Sequence, residues 1–265
     1  MKVKKVDSQR SEDDKSSIFQ HCYVLMIVGA VASGKTSLLI SMFTSKEFYK
    51  QNFSRIVFLS VTARLDAKVK QILDCPDICV SNQKLQDRID YDYSQLDENH
   101  VRTILPKYHG IEQEDIHESY TPEILQKLID EQQFVISEYG KEYSDSVCLI
   151  IDDAITSGIY QGRMNQFCKF VCTLRHLNCS VIHMNQSYKS ANKIIRSQST
   201  AGIFFATNEL ELRDIYEVFN CNYSLHKWLE IFSIVTNKPF NPIVFNLHNR
   251  KGYKIQNGFN GEFVG

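Results

Sequence analysis

The sequence predicts an α/β fold in which a mostly parallel β-sheet is flanked by helices. Short apolar runs such as Cys22–Val28 and Val147–Ile151 are typical of strands that are buried on both faces. Between such runs lie segments like Thr36–Phe43, whose apolar residues recur at helical spacing. This alternation of strand and helix predicts parallel strands joined by helical crossovers.

The predicted elements can be placed in order along the chain. Strands are expected at residues 22–28, 54–61, 78–81, 147–151, 180–184 and 202–206. Helices are expected at residues 36–43, 65–73, 121–140, 164–177 and 209–219. Residues 243–247 and 253–256, joined through 249–252, are expected to form a C-terminal β-hairpin.

Composition and charge indicate a folded protein with one acidic block. The 265-residue chain is 43% hydrophobic and 23% charged, which excludes a fully disordered protein. The net charge is −1, yet residues 82–146 carry 6 Lys and Arg against 15 Asp and Glu. We expect this block to be an acidic insertion of helices and loops on the surface of the sheet. Residues 18–265 are then one domain, preceded by a flexible polar segment at 1–17.

The sequence shows no sign of export or of a membrane span. Residues 1–17 lack the apolar core of a signal peptide, and the run Val24–Ala32 is too short to cross a bilayer. We therefore expect an intracellular protein with reduced thiols and no membrane partner. Cys168, Cys172 and His176 could line one helical face as metal ligands, but buried apolar thiols are the favoured interpretation.

A phosphate-binding loop follows the first predicted strand. Gly29–Thr36 reads GAVASGKT and matches G-x-x-x-x-G-K-[ST], the Walker A pattern. Glycines let backbone N–H groups surround phosphates, and the positive end of the next helix faces the same anion. Lys35 would reach the β- and γ-phosphates, and the Thr36 hydroxyl would bind Mg²⁺. The predicted nucleotide-binding residues are Gly29, Ala30, Val31, Ala32, Ser33, Gly34, Lys35, Thr36 and Ser37.

Acidic and amide side chains follow two later strands. Asp152 and Asp153 end the strand at 147–151, where Asp152 would hold Mg²⁺ and Asp153 would polarise the attacking water. Gln186 follows the strand at 180–184, and its amide could bind the γ-phosphate or the water; we favour it over Asn185. Polar residues that merely end a strand are the alternative. ATP and Mg²⁺ are the predicted cofactors.

The order of the motifs narrows the class of P-loop protein. The long segment between Lys35 and Asp152 leaves room for further strands, which favours the ASCE or RecA-like branch of ring ATPases and helicases. Asn237–Phe240 reads NKPF and lacks the aspartate of the guanine-reading N-K-x-D, which disfavours a GTPase. A small-molecule phosphotransferase, another helicase-type ATPase and a non-enzymatic nucleotide-gated scaffold remain open.

The chain resembles the genome-packaging ATPases of the FtsK–HerA superfamily. The resemblance is carried by VLMIVGAVASGKTSLL (24–39), VCLIIDD (147–153), LRHLNCSVIHMNQS (174–187) and IIRSQSTAGIFFAT (194–207). It covers most of residues 20–220 and is greatest for the poxvirus-type branch of large DNA viruses, virophages and related mobile elements. One departure is Asp153, because many members of the superfamily have glutamate at that position.

The resemblance implies a motor rather than an isolated enzyme. It implies a homo-oligomeric ring, a hexamer, that drives double-stranded DNA into a capsid in the host cytoplasm or viral factory, with capsid or portal-like proteins as partners. In such rings an arginine of one subunit completes the neighbouring site. Arg175, Arg196 and Arg213 are the candidates, and we favour Arg196.

Two basic groups are candidates for DNA contact. Lys189, Lys193 and Arg196 are spaced so that one helix would align them towards DNA phosphates. The second group lies on the predicted hairpin and consists of Arg250, Lys251 and Lys254. Ordinary solvated surface is the alternative for both groups.

Overall fold

The structure is a computed structural model that describes residues 19, 21–46, 48–94, 108–153, 159, 165–247 and 254–257. Its strands are β1 Val24–Val28, β2 Arg55–Ser60, β3 Cys79–Val80, β4 Tyr108–His109, β5 Ile116–His117, β6 Val147–Asp152, β7 Cys179–Asn185, β8 Ala201–Phe204, β9 Ile243–Asn246 and β10 Lys254–Asn257. Its α-helices are α1 Lys35–Thr44, α2 Ala67–Leu73, α3 Gln83–Ser94, α4 Pro122–Glu138, α5 Gln166–Thr173, α6 Lys193–Gln198, α7 Glu209–Phe219 and α8 Leu225–Thr236.

One large sheet organises the described part of the chain. It has eight strands in the order β10-β9-β8-β1-β7-β6-β2-β5. The strands from β8 to β5 are parallel, whereas β9 and β10 run antiparallel at one edge as the expected C-terminal hairpin. The predicted α/β architecture is therefore confirmed. The strand β7 lies between β1 and β6, so the phosphate-loop strand and the acid strand are not neighbours.

Helices cover both faces of the sheet because successive side chains of a strand point to opposite sides. In β1, Leu25 and Ile27 face the apolar side chains of α1 and α2. Met26 and Val28 face α7 and α8, and Val24 faces α4, α5 and α6. Within the described ranges, no helix combines the length and the apolar character that crossing a bilayer requires.

Two local predictions differ from the structure, and a helix was missed. The strand expected at 78–81 does not join the main sheet, because β6 and β5 occupy both sides of β2; β3 pairs instead with β4 in a small antiparallel sheet. The helix expected at 164–177 is shorter, since Asn165 caps α5 and a turn follows Thr173. The helix α8 was not predicted, although Ser224 caps it and Trp228 lies on its buried face.

The acidic block contributes to the core as well as to the surface. Besides α3 and α4, it supplies β5, the strand that pairs in parallel with β2 at the edge of the sheet. Arg55 of β2 donates to both oxygens of the buried Asp115, at 2.8 and 2.7 Å, and to Glu131 of α4 at 2.7 Å. This bidentate ion pair joins the block to the parallel strands.

Replacing Arg55 with methionine is expected to lower the free energy of unfolding by about 3 kcal/mol, because Asp115 would stay buried without its partner. Urea denaturation measures this loss. The control is Arg64→Met, whose exposed ion pair with Glu118 is 3.7 Å long and should contribute less than about 0.5 kcal/mol. Equal losses in the two variants would contradict the role given to the Arg55 ion pair.

Candidate functional site

The phosphate loop begins where β1 ends, at the carboxyl edge of the parallel strands. A Cβ atom on Gly29 would lie 2.6 Å from the Ser33 Oγ atom and 2.8 Å from the Phe205 Cβ atom, so only glycine fits. Gly34 has φ of +104°, a conformation that glycine adopts without steric cost. No side chain caps α1 at Gly34, which leaves the first N–H groups of the helix available for an anion.

The remaining loop residues lie where the motif predicts. Ala30, Val31 and Ala32 form the exposed outer turn, and Ser33 is half-buried beneath it. Lys35, Thr36 and Ser37 form the first turn of α1, with Ser37 exposed. The loop is tied to β7 because the Gly29 N–H donates to the Asn185 carbonyl oxygen at 3.2 Å.

The Lys35 ammonium group lies inside the loop. Its Nζ atom donates to the carbonyl oxygens of Gly29, at 2.5 Å, and Ala30, at 2.9 Å. Burial lowers the pKa of Lys35, and the negative charges of Asp152 and Asp153 partly offset that effect. The predicted lysine and the two predicted acids therefore share one electrostatic environment.

Asp152 is a buried carboxylate at the end of β6. It pairs in register with Ser60 of β2 on one side and Met184 of β7 on the other. Burial and the charge of Asp153 raise the pKa of Asp152 to about 6, although Lys35 and a hydrogen bond from Ser60 act in the opposite direction. Our sequence prediction missed Ser60. The signal that could have indicated it is a polar residue near the end of the buried strand predicted at 54–61.

The donor set at this edge fits Mg²⁺. Asp152 is a buried carboxylate next to a second carboxylate, Asp153. A bound cation would offset both the cost of burying the Asp152 charge and its repulsion by Asp153. Carboxylate and hydroxyl oxygens are hard ligands of the type that Mg²⁺ prefers. Asp152 and the Thr36 hydroxyl would hold the ion, with nucleotide phosphates supplying further oxygens.

The structure brings Asp153 and Gln186 into direct contact. The Gln186 Nε2 atom donates to both carboxylate oxygens of Asp153, at 3.1 and 2.9 Å. Asp153 is exposed and has φ of +50°, a left-handed conformation that turns the chain immediately after β6. Asn185 points into the core instead, where its Nδ2 atom lies 2.8 Å from the His183 Nδ1 atom. The geometry thus favours Gln186 over Asn185 as the amide of the site.

The three candidate arginines have different surroundings. The Arg196 guanidinium lies 5.2 Å from the centroid of the Tyr188 ring, and the side chain is half-buried. Arg213 is exposed and forms an ion pair of 2.7 Å with Glu209 on the same helix. Arg175 is exposed in the turn before β7, at the sheet edge opposite the phosphate loop.

The predicted basic stripe is wrong in its geometry. Lys189 lies in a short 3₁₀ turn, and Asn192 then caps a new helix, α6, that begins at Lys193. Lys189 also forms an ion pair of 2.9 Å with Asp214. On the hairpin, Arg250 and Lys251 lie outside the described residues, and Lys254 begins β10.

The cysteines form no shared site with His176. The helix α5 ends at Thr173, so His176 lies in the turn beyond it rather than on the helical face of Cys168 and Cys172. In the ranges that the structure describes, no three histidine, cysteine, aspartate or glutamate side chains are grouped as metal ligands. The eight cysteines are free thiols, and Cys168 lies on the buried face of α5.

Comparison with solved structures identifies the fold, whereas no protein-family model and no curated protein matches. The genome packaging NTPase B204 from Sulfolobus turreted icosahedral virus 2, in complex with AMP, matches with a TM-score of 0.53 and 18% identity, over 88% of this chain and 96% of that one. The B204 DNA-packaging ATPase from Sulfolobus Turreted Icosahedral Virus matches with a TM-score of 0.51 and 16% identity, over 89% of this chain and 97% of that one. The chain has a P-loop NTPase fold.

Within this P-loop NTPase fold, the strand order explains how the site assembles. The residues that end β1, β6 and β7 all lie at the carboxyl edge of parallel strands, the usual ligand-binding edge of such sheets. The phosphate loop, the two acids and Gln186 therefore meet although they are distant in sequence.

Proposed function

We propose that the protein is an ATP-hydrolysing motor that works as a ring and translocates double-stranded viral DNA into a capsid. The observation that carries the proposal is the contact of the Gln186 Nε2 atom with both carboxylate oxygens of Asp153, immediately after the buried Asp152. This arrangement orients a carboxylate at the edge of the sheet on which the phosphate loop lies. A phosphate loop alone would support nucleotide binding but not turnover.

Each residue has a role in the proposed hydrolysis. The loop N–H groups and Lys35 would bind the phosphates, with Lys35 exchanging its bonds to Gly29 and Ala30 for bonds to phosphate oxygens. Mg²⁺, held by Thr36 and Asp152, would neutralise charge on the β- and γ-phosphates. Asp153 would polarise the attacking water, while Gln186 fixes the orientation of its carboxylate.

The structural neighbours support the motor. B204 is named as a genome-packaging NTPase, one of its structures is in complex with AMPPCP, and its likeness covers most of both chains. This supports the FtsK–HerA superfamily, and we propose the poxvirus-type branch within it. We further propose a hexamer, double-stranded DNA and capsid or portal-like proteins as partners, and a location in the host cytoplasm or viral factory. Arg196 is the proposed arginine acting on the neighbouring subunit.

The strand order argues against a small-molecule phosphotransferase. Such kinases tend to place the acid strand directly beside the phosphate-loop strand, whereas here β7 separates β6 from β1. The side chain that the intervening strand adds to the site is Gln186, which contacts Asp153. An amide at this position can hydrogen-bond the γ-phosphate or the attacking water.

Phosphate release from ATP, measured with and without double-stranded DNA, tests the proposal. We expect turnover by the wild-type protein, and we expect Gln186→Ala to reduce kcat by about a hundredfold or more while ATP binding persists. The matched control is Gln83→Ala, because Gln83 also donates to an aspartate, through one oxygen of Asp87 at 2.9 Å, on the exposed surface of α3. This control should leave kcat unchanged.

Absence of ATP turnover by the folded wild-type protein in the presence of DNA would refute the motor. Assembly provides an independent test, because a ring is expected from a packaging motor and a monomer from a kinase. Electron microscopy with ATP and DNA should show rings. Turnover by a protein that stays monomeric under those conditions would instead favour the phosphotransferase.

A further inference from the structure

Phe240 is an exposed aromatic side chain next to the phosphate loop. Its side chain is 72% exposed, whereas that of the nearby Phe205 is only 4% exposed. A methyl group placed on Gly34 would lie 3.3 Å from the Phe240 Cδ1 atom and 3.7 Å from the Phe205 Cε1 atom. The Phe240 ring therefore borders the amino-terminal end of α1, where the phosphates of a nucleotide would bind.

The sheet topology explains why Phe240 lies there. The strand β9 runs antiparallel to β8, and Ile243 pairs with Phe204, the last residue of β8. The residues just before β9 therefore lie at the carboxyl edge of the parallel strands, beside the phosphate loop. The other side of β8 pairs with β1, the strand that leads into the phosphate loop. A single strand, β8, therefore separates the phosphate-loop strand from the strand that follows Phe240.

The backbone holds Phe240 in an unusual conformation. Its φ is +61°, which costs a non-glycine residue about 1 kcal/mol or more. The next residue is anchored, because the Asn241 Nδ2 atom donates to the Val235 carbonyl oxygen at 2.6 Å and the Asn241 N–H to that of Lys238 at 3.3 Å. An exposed aromatic ring in a strained backbone conformation stabilises the fold little, so its position favours contact with a ligand.

We propose that the Phe240 ring is the surface on which the base of the bound nucleotide stacks, an inference that rests on the proposed nucleotide binding. The phosphate loop fixes the phosphates next to Gly34, and the ribose carries the base a short distance from them. An aromatic face bordering this point can stack on a purine. Phe240 stands where the guanine-reading N-K-x-D pattern has its aspartate, so it offers a ring face in place of a hydrogen-bond acceptor.

Calorimetric titration with two ligands separates base stacking from phosphate binding. The ligands are AMPPCP, which carries a base, and inorganic tripolyphosphate, which does not, each with Mg²⁺. We expect Phe240→Ala to weaken AMPPCP binding about tenfold and to leave tripolyphosphate binding within about twofold of the wild type. Phe240→Trp should retain AMPPCP binding. The control Phe134→Ala, an exposed phenylalanine on α4, should change neither.

Thermal unfolding of the unliganded variants checks that the ring acts on the ligand. Phe240→Gly should unfold at the wild-type Tm or above it, since glycine adopts positive φ freely, yet it should lose AMPPCP affinity as Phe240→Ala does. The inference is overturned if Phe240→Ala weakens both ligands equally or leaves AMPPCP binding unchanged. If the wild-type protein binds tripolyphosphate and AMPPCP equally well, the base is not recognised, although the proposed ATPase could stand.

Discussion

Replacing Lys35 with alanine is expected to reduce ATP hydrolysis by about a thousandfold and to weaken nucleotide binding. The reason is the position of its ammonium group, which lies inside the phosphate loop with bonds to the Gly29 and Ala30 carbonyl oxygens. Burial already lowers the pKa of Lys35, so the site accepts a partly desolvated cation that a phosphate can pair with. Steady-state phosphate release and calorimetric binding of AMPPCP measure the two effects.

A lysine outside the phosphate loop serves as the control for the loss of ATP hydrolysis in Lys35→Ala. Lys46 is exposed just beyond the end of α1, and Lys46→Ala should retain the wild-type rate. The Lys35 charge also lowers the pKa of Asp152, so the Lys35→Ala variant should have an Asp152 pKa above the wild-type value of about 6. Hydrolysis at the wild-type rate by Lys35→Ala would remove the phosphate loop from the proposed mechanism.

Replacing Asp152 with asparagine is expected to stabilise the metal-free, nucleotide-free protein while abolishing Mg²⁺-dependent hydrolysis. The pKa of Asp152 is about 6 in the folded protein, against an ordinary value of 3.8. A raised carboxyl pKa means that folding disfavours the charged form. At pH values above 6 this difference destabilises the fold by roughly 2–3 kcal/mol, and a neutral asparagine removes that penalty.

The stability cost of the charged Asp152 carboxylate depends on pH in a definite direction. The penalty is complete above the folded pKa of about 6, shrinks as the pH falls and is lost near the ordinary pKa of 3.8. Urea denaturation should therefore show Asp152→Asn to be more stable than the wild type at about pH 8, with a much smaller difference at about pH 4. Because Mg²⁺ binding needs the charged form, Mg²⁺-dependent turnover should also fall as the pH drops below about 6.

An exposed carboxylate serves as the control for Asp152. Asp130 lies on the surface of α4 and accepts a hydrogen bond from Gln126 there. Asp130→Asn should change the free energy of unfolding by less than about 0.5 kcal/mol at either pH. A destabilised Asp152→Asn variant at about pH 8 would contradict the burial argument, because it would mean that the charged form contributes favourable contacts.

Much of the fold could be predicted from local pattern. Apolar runs such as those of β1 and β6 are buried on both faces, and that burial requires helices on both sides of a parallel sheet. Two of the differences from the prediction depend on distant partners. Whether Cys79–Val80 joins the main sheet depends on β5 and β6, which occupy both sides of β2. The contribution of the acidic block to the core depends on Arg55 meeting Asp115.

Some features of the candidate site could likewise be predicted from the sequence, and others could not. A parallel sheet brings the carboxyl ends of its strands to one edge, so the sequence could predict that Gly29–Thr36, Asp152, Asp153 and Gln186, which all follow buried strands, meet there. Lys189 and Arg196, which the sequence offers as one basic stripe for DNA, lie on separate elements because Asn192 caps a new helix, α6, and Arg196 lies over the Tyr188 ring. Spacing in sequence does not show where a helix restarts.

The sequence by itself therefore determined the candidate residues and the edge of the sheet on which they lie, because glycine, lysine, carboxylate and amide residues follow strands whose direction the helical crossovers impose. Only the tertiary structure decided which side chains contact one another. Ser60 lies opposite Asp152 because β2 pairs with β6, and Phe240 borders Gly34 because β9 returns antiparallel beside β8. Such contacts depend on the register between strands, which local sequence does not encode.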